Sequence, residues 1–491
     1  MNYNSVIGLE VHSQLLTHSK MFCNCKANYQ DSSPNTTVCE VCMGMPGVLP
    51  VVNRKAIEFV IATGLALGCT IAESTKFDRK NYPYPDLMKG YQISQYDQPI
   101  ASEGCLTIDI DGKMKNVGIT RVHLEEDVAK LIHRTTSDGE SYSLLDVNRA
   151  GVALMEIVSE PDMETPEEAR LYLTKIHSIL RYIGVSTANM EEGSFRCDAN
   201  ISIRPSGSTE LGPKVEVKNM NSFRSVYSAL EYEIDRQKKL VNDGQRIIQE
   251  TRGWVDDRGV TVSQRTKEYA SDYRYFPEPD IPPLSIKLSL VNHVKSSLPE
   301  LPHAKEARFV EEYGLSAYDS RLLTSSKSEA DFFESIMSVR NLEGKAKKQF
   351  AKSVSNWMLG ELARLVNATN TTVSDFCFKP EHIAELIDLV DSKTLNLGMA
   401  KVVFEQMFHT GDNPAKIAEG QGMMQITDVE VVQTAVDEAI DTNSDAVNDY
   451  LTGKGSALGF LVGQVMKITK GNADPKLAAK QLKDKLDSIG K

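Results

Sequence analysis

The sequence predicts an α+β protein: an N-terminal domain with a mainly antiparallel sheet, followed by two all-helical domains. Three observations predict it. Four short stretches before residue 220 alternate apolar with charged or amide residues, at the period of two that a strand imposes. From Leu298 onward the texture turns to Ala/Glu/Lys/Leu-rich helical periods. A chain of 491 residues also exceeds what one core holds, which points to two to four domains.

Composition narrows the class. With 41% hydrophobic and 25% charged residues the chain falls in the ordinary globular range. Met1–Ser5 leads straight into strand pattern, with no basic and apolar leader. The most apolar long stretch, Ala56–Ile71, contains Glu58 and is too short to span a bilayer, so no membrane segment is expected. Eight cysteines, four of them scattered singly, make no disulfide framework and point to the reducing cytoplasm.

Taken in order, the first strand is Val6–His12, in which Ile7, Leu9 and Val11 share one face and Glu10 and His12 the other. Cys23, Cys25, Cys39 and Cys42 follow as two close pairs around a polar loop. Such pairs suit a tetrahedral structural zinc with no open position; free thiols or a redox pair are the other readings. Ala56–Ile71 reads as a buried helix. Lys76–Asp86 interleaves bases and aromatics in a Pro-stiffened loop, which fits an RNA end or a packed Tyr/Pro turn.

The second strand, Ile119–Val128, sets Arg121, His123, Glu125 and Asp127 on one face and Glu126 on the other, unless a bulge turns both adjacent acids inward. Thr165–Ile183 opens with a cap and a proline at the first helical position. In the third strand, Phe195–Ile203, Arg196, Asp198, Asn200 and Ser202 oppose Phe195, Cys197, Ala199 and Ile201. In the fourth, Glu216 and Lys218 oppose Val215 and Val217. A helix over Ser222–Asp243 is closed by Gly244. Four prolines between Asp272 and Pro283 then preclude regular structure and mark an ordered loop or domain edge.

Helical periods run through Asp331–Val339, Phe350–Val366 and Pro380–Leu389, and a turn at His409–Pro414 separates a last small domain. The resulting domains are 1–295, 296–412 and 413–491. Gly453–Gly459 exposes backbone N–H groups at the start of a helix and suits a nucleic-acid phosphate better than ATP. Residues 451–491 carry a net charge of +5 against −17 for the remainder, as expected of an end that touches a polyanion or of a Lys-rich solvated helix.

A solvated sheet face needs only Thr, Ser and Lys. Repeated acids beside a His, an Arg and an Asn on four strands suit a concave site for metal ions and phosphates.

The runs Gly8–His12, Lys76–Tyr82, His123–Asp127, Glu156–Asp162, Met190–Asn200 and Asp272–Asp280 occur in one order, and the pattern continues through Tyr450–Lys467 in the tail. Together they resemble the B-type component of the glutamine-dependent aspartyl/glutamyl-tRNA amidotransferase. The resemblance implies a cradle domain with a glutamine-synthetase-like sheet, a helical domain and a small tRNA-binding tail. It implies that ATP and Mg²⁺ phosphorylate the side-chain carboxylate of misacylated Asp-tRNA(Asn) or Glu-tRNA(Gln), and that ammonia displaces the phosphate. The ammonia would come from glutamine through a partner amidase subunit, with a small third subunit clamping the pair. Glu10, His12, Glu125, Glu126 and Glu216 would then surround the metals, and Arg196 and Lys218 would meet phosphate. Asp198 and Asn200 would orient ligands, and Lys89 would sit near the ammonia tunnel exit. The rivals are a non-catalytic tRNA-binding subunit and a free-standing ligase for a small acid, the latter disfavoured by the basic tail.

Overall fold

A computed structural model describes residues 2–266, 273–423, 429–469 and 473–489. Asp272 and Lys470 fall outside them. The chain forms two compact units, Met1–Pro302 and His303–Lys491.

All four predicted stretches are strands of one nine-stranded sheet. Its spatial order is 260–266, 250–255, 215–220, 195–205, 3–14, 153–159, 113–126, 101–110 and 70–71. Every neighbouring pair is antiparallel except 215–220 with 250–255. The alternation decides the two faces. Ile7, Leu9, Val11, Met155, Ile157, Cys197, Ala199, Ile201, Val215 and Val217 are buried in a single core with Val60 and Ile61, Tyr172 and Ile176, and Val226 and Leu230 from three helices. Each buried Val, Leu, Ile or Met among them contributes about 1.5–3 kcal/mol, so a slip of one residue, which would invert every face, is strongly disfavoured.

The three helices are Arg54–Ala66, Pro166–Tyr182 and Phe223–Asn242, capped by Asn53, Thr165 and Ser222, each accepting a backbone N–H. The first is shorter than its hydrophobicity predicts. Gly68, at φ +70°, ends it, and Thr70–Ile71 becomes an edge strand on Ala101–Ser102. The proline-rich loop also departs from expectation. Phe276–Pro277 pairs with Asp78–Arg79 as a short edge strand, a position that tolerates proline because no N–H is demanded of it.

The second unit is helical, with two separate cores. One gathers Phe309, Phe333, Phe350, Val354, Ile383, Phe404 and Met407, and extends to Ile417 and Ala418 of the Pro414–Gly420 helix. The other gathers Val436, Leu461, Val465, Leu482 and Leu486. The expected Phe350–Val366 helix is interrupted: a π turn at Met358–Leu362 joins Gly344–Trp357 to Ala363–Thr369. The predicted turn near residue 410 is present. Gly411, at φ +74°, closes Leu397–Thr410, and Asn413 caps the next helix.

Candidate active site

The polar face of the sheet carries the site. Directly opposed residues of antiparallel strands share a face. One rung of the sheet reads His123, Glu156, His12, Arg196 across four strands, and the adjacent rung pairs Glu10 with Asp198. Asn200 stands opposite Glu216. Residues more than a hundred positions apart therefore meet because of register.

Two groups of ligand atoms result. In one, His12 Nε2 lies 3.5 Å from Glu125 and 3.4 Å from Glu156, while His123 Nε2 lies 3.3 Å from the same Glu156 oxygen. In the other, one oxygen each of Glu10, Asp198 and Glu216 lie within 4.8 Å of one another. Asn200 Nδ2 donates to Glu10 at 2.7 Å and Thr251 Oγ1 to Glu216 at 2.8 Å. Lys218 Nζ sits 2.5 Å from Asp198 and 3.3 Å from Glu216. A cleft of about 330 Å³ is lined by His12 and Glu125 of the first group and Asp198 of the second, together with Lys80, Tyr82, Gln92 and Arg196.

The electrostatics follow from this crowding. Burial works against a charged His12, but the carboxylates of Glu156, Glu125 and Asp198 outweigh it and lift the ring to about 9. Burial and the charge of Glu156 push Glu125 up. Glu156 is held low despite its burial, because His123 and His12 flank it. Lys218 is likewise raised against its burial by Asp198 and Glu216, and Lys80 by Tyr275, Glu125 and Glu156. Clustered oxygens of this kind suit a hard divalent cation.

Asp127, also on this face, is buried beneath the cleft. It accepts from Gln14 Nε2 at 2.7 Å and pairs with Arg196 at 3.0 Å and Arg149 at 3.6 Å. It thereby fixes Arg196 at the rim.

Glu126 does not join these groups. The pairing runs unbroken through Leu154–Glu125 and Ala153–Glu126, so no bulge turns the second acid inward. Its carboxylate accepts Ile93 N at 3.0 Å and pairs with Lys89. Lys89 and Glu126 line a different cavity, of about 240 Å³, beside Phe22, Cys42, Met45 and Pro46.

That cavity borders the cysteines. One sulfur from each of Cys23, Cys25, Cys39 and Cys42 lies within 4.8 Å of the others, close to the ~3.8 Å edge of a tetrahedron with 2.3 Å zinc–sulfur bonds. Cys42 is pulled down by hydrogen bonding from Cys23, with help from the Cys39 N–H and Lys20. Lys20 is fully buried, its Nζ 3.6 Å from Cys42 Sγ.

His123 and Asp127 were placed on the polar face by sequence reasoning without being assigned a role, and Glu156 and Lys80 were not singled out as ligands or charge partners. For Glu156 the available signal was a lone acid inside the apolar run Ala153–Ser159.

Comparison with known proteins decides the family. A model of the GatB/GatE catalytic domain matches residues 5–292, and a GatB domain model matches 331–486. The chain belongs to the GatB family. Its relatives include proteins named as the B-type component of aspartyl/glutamyl-tRNA(Asn/Gln) amidotransferase from Dehalococcoides mccartyi, Carboxydothermus hydrogenoformans and Thermomicrobium roseum. These are 54%, 51% and 49% identical to it, each over 99% of both chains. The catalytic-domain match contains both ligand groups and all four clustered cysteines of this GatB family member. Among the described residues no helix is long and apolar enough to cross a membrane.

Proposed function

We propose that the cleft is where a tRNA-linked carboxylate is activated and amidated. The side-chain carboxylate of misacylated Asp-tRNA(Asn) or Glu-tRNA(Gln) attacks the γ-phosphorus of ATP and ADP departs. Ammonia then attacks the acyl carbon, phosphate leaves with the bonding pair, and the nitrogen loses a proton to give the amide. The observation that carries this reading is the pair of adjacent ligand groups on one sheet face, ringed by Lys80, Arg196 and Lys218.

Glu10, Asp198 and Glu216, and His12, Glu125 and Glu156, would hold Mg²⁺, which supplies neutralisation of the phosphate charge when bound. Arg196, anchored by Asp127, and Lys218 contact phosphoryl oxygens, and Asn200 orients Glu10. Ammonia comes from glutamine through a partner amidase subunit that a small third subunit clamps. Lys89 and Glu126 lie on the side from which it would enter. The four cysteines hold a structural zinc that shapes the loop over that cavity.

The tail from residue 413 reads the tRNA body through its lysines. The protein works in the cytoplasm. Deleting the tail should flatten the salt dependence of tRNA binding, since lost phosphate contacts release fewer counterions.

The test is nucleotide turnover. The complex with its partner subunits should form ADP only when misacylated tRNA is supplied. ADP formation without tRNA would indicate a free-standing ligase. No ADP under any condition would indicate a non-catalytic subunit.

A further inference from the structure

The cleft has a wall that the chemistry above does not use. Tyr82, Tyr273, Tyr275 and Tyr96 form a continuous ladder of ring contacts. Tyr82 lines the cleft and meets Tyr273 edge-on at 5.9 Å. Tyr273 meets Tyr275 edge-on at 6.1 Å. Tyr275 stacks on Tyr96 at 4.3 Å with 13° between the rings. Lys80, inside the cleft, lies 5.0 Å over the Tyr273 ring and 5.8 Å over Tyr82. The ladder thus runs from Tyr82 in the cleft lining, past Tyr275, which also feels Lys80, Glu125 and Glu156, to Tyr96, which is 44% exposed.

The turn that presents the ladder is strained. Arg274, between the two tyrosines, adopts φ +46°, a left-handed conformation uncommon for a non-glycine residue. Asn81 clamps it, donating through Nδ2 to the carbonyl of Arg274 at 2.9 Å and of Tyr273 at 3.4 Å. Strain of this sort persists where the surroundings over-determine it, and such places cluster at ligand clamps. The terminal ring is exposed and parallel to a second, with the exposed cation of Arg274 next in the chain.

We propose that Tyr96 and Tyr275, backed by Tyr273 and Arg274, form a stacking platform for an adenine base at the mouth of the cleft. The base assigned to it is the terminal adenosine of the tRNA. This rests on the reading that the cleft takes aminoacyl-tRNA. In that substrate a single ribose separates the terminal base from the esterified amino acid. The base therefore belongs beside the carboxylate groups and outside them, where the ladder ends. The adenine of ATP has the same chemistry, but a ribose and two phosphates separate it from the reacting phosphorus.

The experiment uses the reconstituted complex, deacylated tRNA, and the same tRNA lacking its 3′-terminal adenosine. Loss of the adenosine should weaken binding to the wild type about tenfold, within the range for one stacked base. Tyr96→Leu should lose the same factor with intact tRNA and nothing more on truncation. Tyr96→Phe should behave as wild type, and the KM for ATP should not move. A raised KM for ATP in Tyr96→Leu, with the truncation cost unchanged, would overturn the assignment to tRNA and give the platform to ATP. Equal truncation costs in wild type and Tyr96→Leu, with equal KM for ATP, would overturn the platform while leaving the amidation reading intact. Absence of tRNA-dependent ADP formation by the wild-type complex would instead overturn the amidation reading, and this proposal with it.

Discussion

The carboxylate cleft and the cysteine cluster each bring potential metal ligands within 4.8 Å, yet they are built on opposite principles. The cleft sits on the rigid middle of a sheet, its ligands placed by cross-strand register, and it opens to a cavity of about 330 Å³. The cysteines sit on turns outside the main sheet, and four sulfurs close on themselves with Lys20 buried beside Cys42. An open oxygen-rich site on a stiff support can exchange ions and substrate without losing geometry. A closed sulfur site holds the turns that make it and leaves nothing free for chemistry.

The contrast is broken most directly at Glu10 and His12. Glu10→Gln or His12→Ala should reduce ATP-dependent amidation and ADP formation by about a hundredfold or more, as expected when preorganised charge is lost. Glutamine hydrolysis by the complex should persist and tRNA affinity should fall little. Near-normal amidation by either variant would remove the metal-site assignment, leaving an ordinary polar surface whose substitution costs less than about 0.5 kcal/mol.

At the cysteines the expected pattern inverts. Purified protein should contain about one zinc per chain, and joint Cys39→Ser and Cys42→Ser substitution should eliminate it. Proteolysis should then reach the turns between residues 22 and 50, while the sheet keeps its circular dichroism and ADP formation falls far less than in the Glu10 variant. A zinc-free wild type, folded and active, would end the comparison by leaving the cysteines as thiols.

A smaller effect is expected beneath the cleft. Arg196 and Arg149 hold Asp127 below the ordinary carboxylate range in spite of its burial. Its contribution to stability is therefore present above the unfolded value of about 3.9 and lost as pH falls through the lower folded value. Asp127→Asn leaves both guanidinium groups without their anion and should cost about 3 kcal/mol near neutrality. The gap to wild type should shrink in urea titrations below about pH 3.9, where wild type loses the same charge. A gap independent of pH would mean that packing, not charge, holds Arg196.

Much of the site was legible because a strand reports its own faces. Glu10 with His12, Arg196 with Asp198 and Asn200, and Glu216 with Lys218 can each be placed on one face from alternation alone. The cysteine spacing similarly announced a four-sulfur cluster. The helix start at Thr165 was marked by local capping chemistry, which acts over three or four residues and so is written locally.

What the tertiary structure decided was everything set between strands. Periodicity says which residues share a face; it does not say which strands are neighbours or how far one slides along the next. Register brought Glu156 and His123 beside His12, and pairing without a bulge left Glu126 on the face opposite Glu125, beside Lys89. The same holds for Lys80 and the tyrosine ladder, where Asn81 meets a turn nearly two hundred residues away. Side-chain direction is fixed by each residue's own backbone, whereas partners across a sheet are fixed by the summed burial of every strand at once.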